Sequence, residues 1–177
     1  GRTTAQTVSY LLGIFDAGGD RTAPHTTKPA DNQVLIDRIS RPVDKGVLVK
    51  ALHLLNGLSS RHALGSPVPN DEIAGIADAW YAAETAALQW DMEQASRRFE
   101  TLARRYDGTP VAPLATLAAG QWLHRCGLYD RPWGAETRYA AVAAGGGLMG
   151  VRARLEQAEL HLARGERSAA LEQLRQV

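Results

Sequence analysis

Three segments of the chain carry the same spacing of side chains. Ala95 is followed four residues later by Phe99 and seven later by Leu102, Ala135 by Tyr139 and Val142, and Ala170 by Leu174 and Val177. Small, large and medium side chains at i, i+4 and i+7 share one stripe of an α-helix, so each segment predicts a helix that buries that stripe. Ahead of each lies another helical segment with a small residue where a neighbour must approach closely: Ala83, Gly120 and Ala158. Two of these first segments end at Gly127 and Gly165, as the left-handed closing position of a helix prefers. A unit of two helices and a turn cannot bury its apolar stripe alone and must stack on its neighbours.

The first pair is "EIAGIADAWYAAETAALQ" and "DMEQASRRFETLARRY", closed by the loop "DGTPVAP". "LATLAAGQWLHRCG" then leads through "LYDRPWG" to "AETRYAAVAAGGG", and "VRARLEQAELHLARG" through "ERS" to "AALEQLRQV". Upstream, a helix is expected from about Thr4 to Phe15, with Val8, Leu11, Leu12 and Phe15 on one face, followed by the polar, Gly- and Pro-rich loop "DAGGDRTAPHTTKPAD". "NQVLIDRIS" reads as a short helix ended by Pro42, and "DKGVLVKALHLLNGLSSRHALG" as a longer one that stops at Gly65. In the linker "SPVPND", Asn70 or Asp71 is placed to cap the next helix. Alternating Val/Ile/Thr strands bounded by turns do not appear. The expectation is an all-α chain: N-terminal helices over residues 1–70 with a polar loop at about 16–31, then about three helical hairpins over 71–177, the last incomplete.

Composition narrows the function. Hydrophobic residues make up 45% and charged residues 22%, a globular mix that argues against disorder. Twenty basic against nineteen acidic side chains give +1, without the basic excess of a dedicated nucleic-acid binder. No apolar run approaches the roughly 20 residues of a membrane-spanning helix. Cys126 is the sole cysteine, so it forms no internal disulfide and no thiolate zinc site; this fits a reducing, cytoplasmic setting and leaves a periplasmic one open. The start "GRTTAQ" and the stop within "ALEQLRQV" read as a segment of a longer protein.

The hairpin pattern over residues 72–177 resembles the tetratricopeptide repeat (TPR), a helix-turn-helix unit of about 34 residues. It departs from that pattern in the first repeat, which lacks the turn glycine, and in the second, whose turn is longer. The resemblance implies a short right-handed solenoid whose first helices line a concave groove for a peptide or a helix. It maps Trp80, Glu84 and Leu88 to that groove, then Leu117, Gln121, His124 and Arg125, then Leu155 and Glu159. Trp80 and Leu117 also read as inter-repeat core. The upstream stretches "TVSYLLGIFDA" and "VLIDRISRPVDKGVLVKALHLLNGLSSRHALG" resemble the segment preceding the repeats in bacterial receptor-like serine/threonine kinases and related regulators. Together the resemblances imply a non-enzymatic interaction module of a bacterial signalling or regulatory protein, binding a protein, a peptide or another domain of its parent chain. A ligand-sensing domain is a second reading. Self-association is a third, because Leu171, Leu174 and Val177 leave an apolar end and a homodimer would cover it.

Other constellations give less. "QASRRFETLARRYDGTP" stacks Arg97 over Arg104 and Arg98 over Arg105, away from the apolar face. Glu93 precedes Arg97 and Glu100 precedes Arg104 by four residues, the favourable order for ion pairs, so the segment reads as a solvated outer face rather than a phosphate grip. His124 and Cys126 diverge by about 200° on a helix and cannot share a metal. "AAGGGLMG" follows a helix, not a strand, and reads as a flexible turn rather than a phosphate loop. Trp90, Trp122 and Trp133 read as packing residues. No nucleophile, base and acid set suggests catalysis, and no cofactor site is expected.

Overall fold

The computed structural model describes residues 44–62 and 64–177. The expected first helix, the loop at 16–31 and the short helix before Pro42 lie outside the described residues. Among the described residues the fold is all-helical. Its helices are α1 (Lys45–His62), α2 (Ile73–Leu88), α3 (Met92–Arg105), α4 (Val111–Arg125), α5 (Ala135–Ala144), α6 (Gly147–Ala163) and α7 (Arg167–Arg175), with a 3-10 turn at Asn70–Glu72 before α2. Each helix packs on the next in the chain, and α4 also touches α6. No helix among the described residues is long and apolar enough to cross a membrane.

The stripes behave as their spacing requires in the first two pairs. Ala95, Phe99 and Leu102 are buried on α3, and Ala135, Tyr139 and Val142 on α5. On α7 only Ala170 is buried; Leu171, Leu174 and Val177 are 44–55% exposed because no described helix follows to cover them. Gly120 allows the close approach its position implies. A Cβ there would lie 2.6 Å from Cε1 of Tyr139 and 2.9 Å from its Cδ1, inside van der Waals contact with a ring that is fully buried.

The three hairpin corners are built alike. In each, the amide of the residue after the left-handed position donates to a carbonyl five residues back: Asp91 to Ala86 at 3.0 Å, Leu128 to Leu123 at 2.9 Å, Glu166 to His161 at 2.8 Å. A second bond accompanies each, from Trp90 to Ala87, Gly127 to His124 and Gly165 to Leu162, which together make the Schellman closure. The left-handed residues are Trp90 (φ 63°), Gly127 (φ 71°) and Gly165 (φ 78°), each seven residues after its helix's small position. The first corner, which lacks a glycine, therefore keeps the same backbone with an indole in its place.

Several boundaries differ from the sequence expectation. α4 begins at Val111, before Leu114, and takes Pro113 into its first turn, where a missing N–H costs no helical bond. α6 begins inside "AAGGGLMG": Gly147 to Gly150 are helical, because Met149 is buried and a Cβ at Gly150 would sit 3.1 Å from the Ala143 carbonyl oxygen. Packing of the helix start on the end of α5 outweighs the low helix propensity of glycine. Neither Asn70 nor Asp71 caps α2; the 3-10 turn occupies that place and no side chain bonds its amides. Asn56 instead fixes the linker, its amide group donating to the Val68 carbonyl at 2.6 Å and accepting from the Val68 amide at 2.9 Å.

Candidate functional site

The residues that the spacing maps to a groove lie on α2, α4 and α6, the first helices of the pairs. They divide by burial. Trp80 is 1% exposed and meets the Phe99 ring edge-on at 5.2 Å, so its indole is an inter-helix core piece. Leu117 is likewise buried, and Leu88 packs half-buried against the core. Glu84 is only 3% exposed and Gln121 8%. His124 and Leu155 are half-buried, whereas Arg125 and Glu159 are exposed.

A polar chain crosses from α4 to α6. The Gln121 amide donates to Oε1 of Glu156 at 3.1 Å, and the Arg152 guanidinium donates to the same oxygen at 2.7 Å. Glu156 is 3% exposed, and a carboxylate that deep persists only where donors compensate its lost hydration. Neither Arg152 nor Glu156 is among the residues that equivalence of positions suggests. By that equivalence the partner of Gln121 in the next pair is Glu159, since both follow their small residue by one. The helices instead lie so that Gln121 is level with Glu156, one turn earlier on α6.

His124 sits among aromatic rings. Its Nδ1 lies 3.4 Å from the Tyr139 hydroxyl, and its ring meets Tyr129 edge-on at 5.4 Å and Tyr139 at 6.2 Å. Arg125 lays its guanidinium over the Trp122 ring at 5.0 Å, a cation–π contact that holds the charge at the surface. Burial pushes the Cys126 thiol pKa up, against a smaller opposing pull from Arg125. A thiol held neutral is a poor nucleophile and a poor metal ligand. Among the described residues no group of His, Cys, Asp or Glu gathers to hold a metal ion.

The arginine-rich segment lies on the outside of α3, with one correction to its pairing. Arg97 bonds Glu93 as the spacing predicts. Glu100 does not pair with Arg104; it reaches across to Arg138 of α5, whose side chain is 18% exposed. The less hydrated position favours that pair over an exposed one on the same helix. Arg105 lies 3.6 Å from Glu72, and Arg98 and Arg104 form no ion pair among the described residues. The tryptophans also divide: Trp122 is buried, while Trp90 is 74% and Trp133 42% exposed at successive corners.

In comparisons with known proteins, no family model, no curated protein and no solved structure matches the chain significantly.

Proposed function

We propose that the chain is a TPR-like, non-enzymatic interaction module of a bacterial signalling or regulatory protein, which binds a peptide or a helix along the row formed by α2, α4 and α6. The observation that carries this reading is the row of buried or half-buried polar groups on the first helices. Glu84, Gln121, Glu156 and His124 occupy positions where packing alone would favour apolar side chains. The members of the row are held largely by one another, and its exposed rim, Arg125 and Glu159, suits a partner with charged side chains to meet them. Trp80 supports this surface from beneath and is not itself a contact. The three equal corners and the small position seven residues before each are what support the repeat resemblance.

The test uses a displayed library of random peptides, panned against the intact chain and against an Arg125→Glu, Glu159→Lys double variant, both checked for native helicity. The expected outcome is a consensus enriched on the intact chain and lost on the variant. Peptides enriched equally on both, or none at all, would overturn the reading.

The ligand-sensing alternative rests on a different observation, an open cleft of about 640 Å³ walled by Leu64, Arg104, Thr109, Pro113, Val142 and Met149. Its size lies within the range of small-molecule sites, about 300–1,000 Å³. A rise in melting temperature with a small-molecule panel, abolished by Met149→Trp, would favour it over peptide docking.

A further inference from the structure

We propose that two copies of the chain pair through their first hairpins, the Trp90 indole of each seated in the α2–α3 groove of the other. Among the described residues Trp90 is the most exposed large apolar side chain, at 74%. It stands at a left-handed backbone position that the two other corners give to glycine. Glycine there would relieve the backbone and remove exposed apolar surface at once, so the fold of a single copy gives no reason for an indole. An aromatic that costs its own chain stability is accounted for by a contact outside that chain.

The receiving half lies on the same hairpin. A groove of about 320 Å³ runs between α2 and α3, lined by Gly75, Ala79 and Ala82 of α2 and by Arg97, Arg98, Thr101 and Arg105 of α3. It is at the lower end of the volumes that hold small ligands, which suits one ring system. Arginine against tryptophan is a favoured cation–π combination, and desolvation in a groove strengthens it. Charge adds to shape: exposed Asp91 flanks the indole, Glu93 being held by Arg97 on the groove's own wall, while Arg98 is without an ion pair among the described residues and Arg105 has the distant Glu72.

The groove does not serve its own Trp90. Trp90 is not among the groove's lining residues: it lies beyond Leu88, the end of α2, whereas Ala79 lies nine residues before Leu88, about 13 Å along the helix at 1.5 Å per residue. A two-fold axis between those points brings each tip onto the other's groove and makes the two contacts identical. The product is a closed, isologous dimer rather than a growing chain. A surface that carries an apolar projection beside Asp91 and a matching depression beside Arg98 is what pairing with an identical copy requires.

Sedimentation equilibrium of the whole 177-residue chain over ~1–100 μM tests this, with circular dichroism confirming native helicity for each variant. The intact chain is expected to dimerise, more weakly when ionic strength rises from about 0.1 to 1 M and the screening length shortens from about 10 to 3 Å. Trp90→Gly should raise the dimer dissociation constant at least about tenfold while raising the melting temperature of the monomer. Arg98→Glu with Arg105→Glu should weaken pairing as much. Because a mixture of these two variants re-creates one intact tip facing one intact groove, mixing should restore association that neither shows alone. A chain that stays monomeric throughout, a Trp90→Gly variant that pairs like the intact chain, or a mixture with no added association would each overturn the proposal.

Discussion

Adding one methyl group at Gly120 should separate the two demands that a helix places on a glycine. In isolation, alanine in the middle of α4 is favoured over glycine by about 1 kcal/mol. The new Cβ, however, would lie 2.6 and 2.9 Å from two ring atoms of Tyr139 and 3.2 Å from Cβ of Arg138. Tyr139 is fully buried and its ring is rigid, so relief requires α4 and α5 to move apart rather than one side chain to swing. Overpacking of this kind costs about 1–3 kcal/mol. The intrinsic gain of about 1 kcal/mol offsets part of that, which leaves Gly120→Ala up to about 2 kcal/mol less stable, or up to roughly 8 °C lower in melting temperature for a chain of this size. Gly57→Ala is the control: Gly57 is exposed in α1 with nothing within 4 Å of its added Cβ, so that variant should melt slightly higher. Urea and thermal denaturation followed at 222 nm measure both. If Gly120→Ala moves in the same direction as Gly57→Ala, the close approach of α5 is not what keeps a glycine at position 120.

Tyr106 donates to Oε2 of Glu72 at 2.6 Å, and burial, reinforced by that bond, pushes its pKa up to about 12. With the folded value above the ordinary value of about 10, its stabilisation is complete below pH 10 and disappears as pH rises from 10 to 12; Tyr106→Phe should flatten alkaline unfolding over that window. Arg138→Ala should cost about 1–2 kcal/mol, because it removes a part-buried charged hydrogen bond to Glu100, whereas Arg104→Ala should stay within about 0.5 kcal/mol. Denaturation of the two variants thus distinguishes the observed pairing from the one that spacing alone favours. Arg164 bridges the second and third corners, reaching Asp130 at 2.7 Å, Glu136 at 3.1 Å and Glu166 at 2.8 Å. Its replacement by Ala should lower stability by about 1 kcal/mol at low salt and by less in 1 M salt, read from the urea midpoint.

What could be read in the sequence is what a single helix decides for itself. The stripes through Phe99 and Tyr139 and the close approach at Gly120 follow from 3.6-residue periodicity, and all three are found where that periodicity puts them. What was not legible depends on neighbours. Glu100 has an acceptable partner four residues on at Arg104, and only the packing of α5 offers it Arg138 in a drier place. The helical start of α6 runs against glycine's propensity and is imposed by contact with α5. Trp90 reads as packing because aromatics usually are; its left-handed backbone becomes visible only when the corner is aligned on Gly127 and Gly165.

The same distinction governs the candidate site. Equivalent positions on successive first helices need not touch, because a side chain on one helix meets whatever is level with it on the next. Gln121 therefore bonds Glu156 rather than Glu159, and that one-turn offset carries Glu156 and Arg152 into the row while leaving Glu159 at its rim. A partner peptide lying across α4 and α6 would then meet Gln121 and Arg152 tied through one carboxylate, so replacing either changes the orientation of the other. Gln121→Ala and Arg152→Ala should accordingly be strongly non-additive in binding, with a coupling energy of about 0.5–3 kcal/mol from a double-mutant cycle. Strict additivity would mean that the two side chains face the partner separately and that the offset has no bearing on recognition.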